Sequence, residues 1–356
     1  MQPTLKTLLL LAMCILSGHL PAQHHRMHPD IPADTSYNVQ KELVKHRKKY
    51  PFIQIAEVVH SEGSTFLDNL TYHRIDQRDL HLDLFLPKQA GSTAAPLVIM
   101  IHGGGWRSGN KDMDHPMAAY WAANGYIAAC VEYRLSMEAQ YPAQIQDIKT
   151  AIRWLKLHAQ RFAIDTTKVA IMGCSAGGQL AALIGSRNDD FPLYQTDAYN
   201  QVSDRVQAVI DFDGVLAFLH PDSSEGKDRP DKPSAATQFL GIPAQDCPDR
   251  WNEASALHQV NPSSAPILFV NSSQPRFSAG QQDMMHKLDA LGIPNKAYLL
   301  EGTPHSFWLF QPWMNEAMQQ AVQFLDQLYR SSDYKPNVGE RYSDVCWYEC
   351  GDRKKA

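Results

Sequence analysis

The feature that most limits the fold of this chain is a serine held between glycines at the junction of two apolar runs. Gly173-Cys174-Ser175-Ala176-Gly177 directly follows Val169-Ala170-Ile171-Met172 and leads into the apolar stretch Gln179 to Ile184. The first run reads as a buried strand and the second as a helix, so Ser175 stands at the apex of a strand, a tight turn and a helix. Such a turn strains the serine backbone, and the flanking glycines let strand and helix pass closely. The hydroxyl is lifted clear of the sheet, which is the geometry of a nucleophile elbow.

A second motif supplies what a serine nucleophile needs. His102-Gly103-Gly104-Gly105-Trp106 follows the strand-like run Pro96-Leu97-Val98-Ile99-Met100-Ile101. In acyl transfer the attacked carbonyl oxygen becomes an oxyanion, and glycines expose backbone N–H groups to it without a side chain in the way. The donors are assigned to Gly104, Gly105 and Ala176. A serine hydroxyl also needs a base. His305 is the candidate, in a loop between the strand-like Ala297-Tyr298-Leu299-Leu300 and a final amphipathic helix from Pro312 to Leu328. His102 reads as a structural hydrogen-bonding residue of the glycine motif, and His24, His25 and His28 as part of a solvated tail.

These motifs, in this order, resemble the α/β-hydrolase superfamily, and within it the esterases and lipases that carry HGGGW with a GxSAGG elbow. The resemblance runs from about Leu80 to Leu328 and includes Glu132 to Ser136, Pro142 to Leu155 and Asp165 to Gly178. It implies a mostly parallel sheet covered by helices on both faces, and a triad in the chain order serine, acid, histidine. The chain departs from the family in one place. The acid commonly follows the seventh strand, here Pro266 to Val270, yet the next loop, Asn271-Ser272-Ser273-Gln274-Pro275-Arg276-Phe277, holds no carboxylate. The first one downstream is Asp283, which the pattern through Met284, Leu288 and Leu291 places in a helix. The alternative is the end of the sixth strand, Val206 to Ile210, followed by Asp211-Phe212-Asp213-Gly214. Asp213 is favoured over Asp283, with Asp211 third, because Gly214 permits a turn beside Asp213.

Strand-like runs also lie near Ile53 to Val59, His81 to Leu86 and Tyr126 to Val131, with helical patterns between most of them, as an α/β fold requires. A composition of 44% hydrophobic and 20% charged residues fits one globular domain over residues 51–330. Residues 215–262 break the alternation with a segment rich in Asp, Pro, Ser and Lys, which reads as a lid-like insert after the sixth strand.

Residues 1–22 read as a signal peptide, with Lys6, the apolar Leu8 to Leu16 and the small residue Ala22 before the cleavage point. Residues 23–50 form an N-terminal extension, in which the basic stretch Lys41 to Lys49 is the exposed face of a helix ending before Pro51. Residues 331–356 form a polar tail. Removing residues 1–22 takes one lysine and no acid, so the formal charge moves from −5 to −6, which argues against a nucleic-acid footprint. No other segment is apolar enough to span a membrane. Of the five cysteines left, Cys130 and Cys174 read as buried thiols. Cys346 and Cys350 are free to pair with each other or with Cys247, and the odd count leaves the pairing open.

The expectation is therefore a secreted or periplasmic serine esterase of the α/β-hydrolase fold, using Ser175, His305 and an aspartate, with no cofactor and no metal. Many exported esterases of the HGGGW group act on acetyl, methyl or feruloyl groups of plant polysaccharides. The runs Asn271 to Phe277 and Phe307 to Trp313 resemble a bacterial subgroup found with pectin-degrading enzymes. Arg276 stands in the loop after the seventh strand, where active-site groups of this fold converge, and is a candidate either for a galacturonate carboxylate or for a structural salt bridge with Asp213 or Asp283; Trp106 and Trp308 are candidates either for surfaces against a sugar ring or for the core. The rivals are a prolyl-peptidase-like hydrolase and a non-catalytic binding protein of the same fold.

Overall fold

The computed structural model describes residues 34–88, 94–229 and 231–329. Its centre is an eight-stranded sheet of β1 (Thr65–Ile75), β2 (Arg78–Leu86), β3 (Ala95–Ile101), β4 (Ile127–Val131), β5 (Ile164–Cys174), β6 (Ala208–Phe212), β7 (Ile267–Ser272) and β8 (Asn295–Leu300). In space the order is β1-β2-β4-β3-β5-β6-β7-β8. The first two pairings are antiparallel and the others parallel. The longer helices are α1 (Val39–Arg47), α2 (His115–Ala123), α3 (Ala143–Leu157), α4 (Ala176–Ser186), α5 (Gln281–Ala290) and α6 (Trp313–Tyr329).

The central strands are apolar at successive positions because both of their faces are covered. In β3, Leu97, Ile99 and Ile101 enter a core shared with Ile148 and Ile152 of α3 and Leu180 and Leu183 of α4. Val98 and Met100, one residue out of phase, enter a second core with Trp121 of α2 and Phe324 and Leu325 of α6. Period-two alternation thus divides each strand between two cores. The parallel ladders bring the carboxyl ends of β5, β6 and β7 side by side, with Cys174 opposite Phe212 and Phe212 opposite Val270. That edge carries the site, as in open α/β sheets generally.

Some elements differ from expectation. The run Ile53 to Val59 contributes only Gln54–Ile55, which pairs with Phe310–Gln311 outside the main sheet. The eleven-residue β1 has no counterpart in the sequence reading. As an edge strand it is largely solvent-facing, so polar residues interrupt its apolar pattern. The insert is more ordered than its polar composition suggests: Phe218, Phe239, Leu240, Trp251 and Leu257 are all buried. It forms short helices at Ala235–Leu240 and Pro248–Glu253. The basic N-terminal stretch does form α1, capped by Asn38, whose side chain accepts a hydrogen bond from the Lys41 N–H. Cys130 and Cys174 are buried thiols, and among the described residues neither they nor Cys247 form a disulfide. The expectations for residues 1–33 and 331–356, including the signal peptide and the pairing of Cys346 and Cys350, fall outside the described residues.

Candidate active site

The elbow explains its own sequence. Ser175 has φ 55° and ψ −116°, a conformation that costs a non-glycine residue on the order of 1–3 kcal/mol. Its N–H donates to the Phe212 carbonyl at 2.7 Å, which ties the turn to the end of β6. A Cβ on Gly173 would stand 2.1 Å from the Gly177 oxygen, and one on Gly177 would stand 1.9 Å from the Ile101 oxygen. Both glycines are therefore demanded by backbone contacts. Ala176 opens α4, and an N–H in that first turn has no partner within the helix.

Three side chains converge on this turn. His305 Nε2 lies 2.8 Å from Ser175 Oγ, and His305 Nδ1 lies 2.9 Å from Asp213 Oδ2. Asp213 is fully buried just beyond β6, at φ 52°. Its other oxygen accepts the Ser272 N–H at 2.7 Å. One carboxylate oxygen is thus pinned by β7 and the other faces the imidazole. Burial lowers the His305 pKa below the ordinary histidine value, against the opposing pull of Asp213, so the ring is neutral and able to accept a proton at neutral pH. The other two aspartates stand elsewhere. Asp283, in α5, is mostly exposed and lies 3.5 Å from His220 Nε2. Asp211 is buried beneath the elbow and accepts the Gly214 N–H at 2.8 Å. Burial, opposed by the Gly214 bond and aided by Asp213, pushes Asp211 up to about 8, so it is neutral at neutral pH.

The glycine loop runs directly against the elbow, since a Cβ on Gly103 would lie 3.3 Å from Ser175 Cβ. Gly104 has φ 124° and Gly105 φ 59°, values that favour glycine. The loop's carbonyls are held by other donors: Tyr133 Oη to His102 O at 2.9 Å, Ser108 Oγ to Gly104 O at 2.7 Å, and Ser136 N to Trp106 O at 2.7 Å. Among the described residues no backbone acceptor takes the N–H of Gly104 or Gly105. His102 is buried, with Nδ1 2.8 Å from the Gly103 carbonyl, and burial lowers its pKa to about 4, so it stays a neutral strut.

Of the two readings open for the tryptophans, a sugar surface or the core, both residues take the core. Trp106 is buried, stacks on Phe239 of the insert at 4.9 Å and donates through Nε1 to Gln179 Oε1 at 2.9 Å. Its left-handed backbone, φ 59°, belongs to the turn that tucks it inward. Trp308 is also buried, with its ring edge-on to His305. Arg276 pairs with neither Asp213 nor Asp283. Its Nη1 lies 3.6 Å from Glu225 Oε1 of the insert, and its side chain remains 49% exposed. Its guanidinium sits 4.2 Å from the Phe277 centroid, and Phe277 stacks on His305 at 3.4 Å. Phe277 and Ser272 were not assigned roles from sequence. Their position at the end of β7 (Ser272) and in the loop after it (Phe277), where the family's acid commonly stands, is the signal that marks them.

Among the described residues one group has spacing suited to a cation: Asp83, Asp112 and His115, with ligand atoms within 4.8 Å of one another. The Lys111 ammonium already sits 2.6 Å from Asp83 Oδ2 and supplies the positive charge there. Chemically, the site as a whole presents a serine hydroxyl, a neutral base bonded to it, a buried carboxyl group orienting that base, and, among the described residues, N–H groups of the glycine loop with no backbone acceptor. This is the equipment for nucleophilic acyl transfer.

Similarity to known proteins follows the same lines. A BD-FAE family model matches residues 82–285. Esterase LipC of Mycobacterium tuberculosis is 27% identical over 70% of this chain, and the match spans 62% of that relative. The carboxylic ester hydrolase LipM of the same organism, a probable assignment by its own name, is 36% identical over 40% of the chain and 34% of the relative. The chain therefore spans less than two thirds of each. In three dimensions it resembles a truncated carbohydrate esterase from gut microbiota, with TM-score 0.63 and 24% identity over 77% of this chain and 98% of the other. A Thermogutta terrifontis esterase gives TM-score 0.61 and 23% identity over 77% and 96%. By the family match and by its strand order, this chain is a member of the BD-FAE family, built on the α/β-hydrolase fold.

Proposed function

We propose that this chain is an exported serine carboxylic-ester hydrolase that works through an acyl-enzyme and removes acetyl or methyl groups from plant cell-wall polysaccharide, pectin in particular. The observation that carries the hydrolase reading is the continuous relay Ser175 Oγ, His305 Nε2, His305 Nδ1, Asp213 Oδ2, with both links under 3 Å. As Ser175 Oγ bonds to the ester carbonyl carbon, its proton passes to His305 Nε2, and Asp213 stabilises the imidazolium that forms. The N–H groups of Gly104, Gly105 and Ala176 take up the charge on the carbonyl oxygen. Collapse breaks the bond to the alcohol, which leaves with the proton from His305. Water, deprotonated by the same imidazole, then frees the acid. A non-catalytic binding protein would have no need of Ser175's strained backbone or of a buried carboxyl group behind His305.

The polysaccharide reading is supported by Arg276. It is half exposed, one aromatic ring from His305, and its partner Glu225 is at the long end of ion-pair distance. An arginine fork so placed suits a uronate carboxylate. The likeness in fold to one protein named a carbohydrate esterase is in keeping with this. The test is a panel of acetylated, methyl-esterified and feruloylated polysaccharides, with released acid or methanol as the readout, for the parent and Arg276→Ala. Recognition predicts a loss of about 1.5–3 kcal/mol in kcat/KM on pectin only. An equal loss on a neutral acetyl ester would refute it.

A further inference from the structure

The helix at the start of the described chain reaches the loop that carries the base. Glu42 of α1 is buried, although it stands in a stretch of lysines, arginine and histidine. Its Oε2 accepts a hydrogen bond from Ser306 Oγ at 2.6 Å, and Ser306 is the residue immediately after His305. The same carboxylate is held by Lys45 Nζ at 3.0 Å and His46 Nε2 at 3.1 Å. Ser306 is itself 1% exposed, and its carbonyl accepts the Leu309 N–H at 3.1 Å to close the short turn Phe307–Leu309. Just beyond, Ala56 N donates to Leu309 O at 2.9 Å, and Gln54–Ile55 pairs with Phe310–Gln311. Among the described residues the chain from His305 to Gln311 is therefore fastened to the N-terminal segment by the bond from Ser306 to Glu42 and by a short ladder.

A buried carboxylate is a costly way to dock a helix, because an apolar side chain fills such a place without the desolvation penalty. What a carboxylate does that leucine does not is to fix the direction of a hydroxyl. We infer that Glu42 is a positioning residue for the hydrolase site: through Ser306 it sets the backbone from which His305 reaches between Ser175 and Asp213. α1 is on this account a working part of the site and not only a cover over the second core.

The kinetic arm of the test rests on the ester-hydrolase reading, and a spectroscopic arm does not. Glu42→Ala and Ser306→Ala are assayed on p-nitrophenyl acetate beside the double variant and Ser306→Thr, which keeps a hydroxyl. Each alanine variant is expected to lose about 10- to 100-fold in kcat with KM unchanged, the range that a misplacement approaching 1 Å produces. The double variant should be no worse than the poorer single one, because both remove the same bond, and Ser306→Thr should recover most of the rate. In parallel, the low-field proton NMR signal of the His305 Nδ1–H, bonded to Asp213, should be sharp in the parent and in Ser306→Thr, and broadened or lost in Ser306→Ala. A kcat within about twofold of the parent in Ser306→Ala, or losses that multiply in the double variant, would overturn the inference. If Glu42→Ala fails to fold, the Ser306 pair decides alone. An inactive parent would count against the hydrolase reading, and the NMR comparison would then decide the positioning role.

Discussion

Replacing Asp213 by Asn removes one charge and almost no volume, so its effect is one of charge and hydrogen-bond polarity and not of packing. Both oxygens of Asp213 accept: Oδ1 from the Ser272 N–H at 2.7 Å and Oδ2 from His305 Nδ1 at 2.9 Å. An asparagine has only one acceptor atom for these two donors. The Ser272 N–H is backbone and has no alternative tautomer, so the Asn oxygen is held there and the amide NH₂ turns toward His305. The imidazole answers by placing its proton on Nε2, the nitrogen that must instead be bare to take the proton from Ser175 Oγ, 2.8 Å away. A triad with this exchange elsewhere loses about 10⁴-fold in kcat. At about 1.36 kcal/mol per factor of ten, that is about 5.4 kcal/mol of transition-state stabilisation. Steady-state hydrolysis of p-nitrophenyl acetate measures it, with Asp283→Asn as the control. Asp283 is exposed and beside His220, so its replacement should leave kcat within about twofold. Retention of more than about a tenth of the parent kcat in Asp213→Asn, or a greater loss in Asp283→Asn, would refute the reasoning.

Three further outcomes follow from the geometry. Ser175→Gly abolishes activity yet raises stability by about 1 kcal/mol in urea unfolding, since relief of a strained φ of 55° exceeds the entropy cost of the new glycine; a less stable variant would contradict the strain. Trp106→Phe strands the Gln179 Oε1 acceptor in the core and costs about 1–3 kcal/mol in unfolding free energy with KM unchanged, whereas a raised KM at unchanged stability would return Trp106 to the substrate surface. Because burial lowers the His305 pKa, its neutral, proton-accepting form persists below the ordinary histidine value of 6.5. kcat/KM is then flat above that value and falls only as pH drops through a lower pKa, and an acid limb centred above 6.5 would contradict the sign.

The elbow, the glycine loop and the base were legible because each is a local pattern whose spacing reflects backbone contacts: Gly177 against Ile101, Gly103 against Ser175. The acid was narrowed rather than read. The carboxylate-free loop after β7 pointed to the end of β6, but choosing among Asp211, Asp213 and Asp283 needs the positive φ of Asp213 and the partners of the two buried carboxylates, His305 for Asp213 and the Gly214 N–H for Asp211, none of which has a sequence signature. Trp106 misled because an aromatic beside a glycine loop suits a ligand as well as a core, and its partners Gln179 and Phe239 are distant in sequence. Glu42 was invisible for the same reason at a greater distance. Its partner is Ser306, and within its own helix it is one acid in a basic, mostly solvated stretch. The insert hid its buried residues among Asp, Pro and Ser, where no period marks Phe218, Phe239 or Trp251.

The central claim is that Ser175 forms an ester with the acyl group during turnover, and trapping that serine tests it most directly. The parent, Ser175→Ala and His305→Ala are incubated with a fluorophosphonate, and intact mass and peptide mapping follow the adduct. The account predicts one phosphonyl group per chain, on the peptide containing Ser175, at a rate that matches the loss of p-nitrophenyl acetate hydrolysis. It also predicts no adduct in Ser175→Ala and a strongly slowed one in His305→Ala. Ester hydrolysis that persists in Ser175→Ala, or an adduct on another residue that tracks the loss of activity, would contradict it.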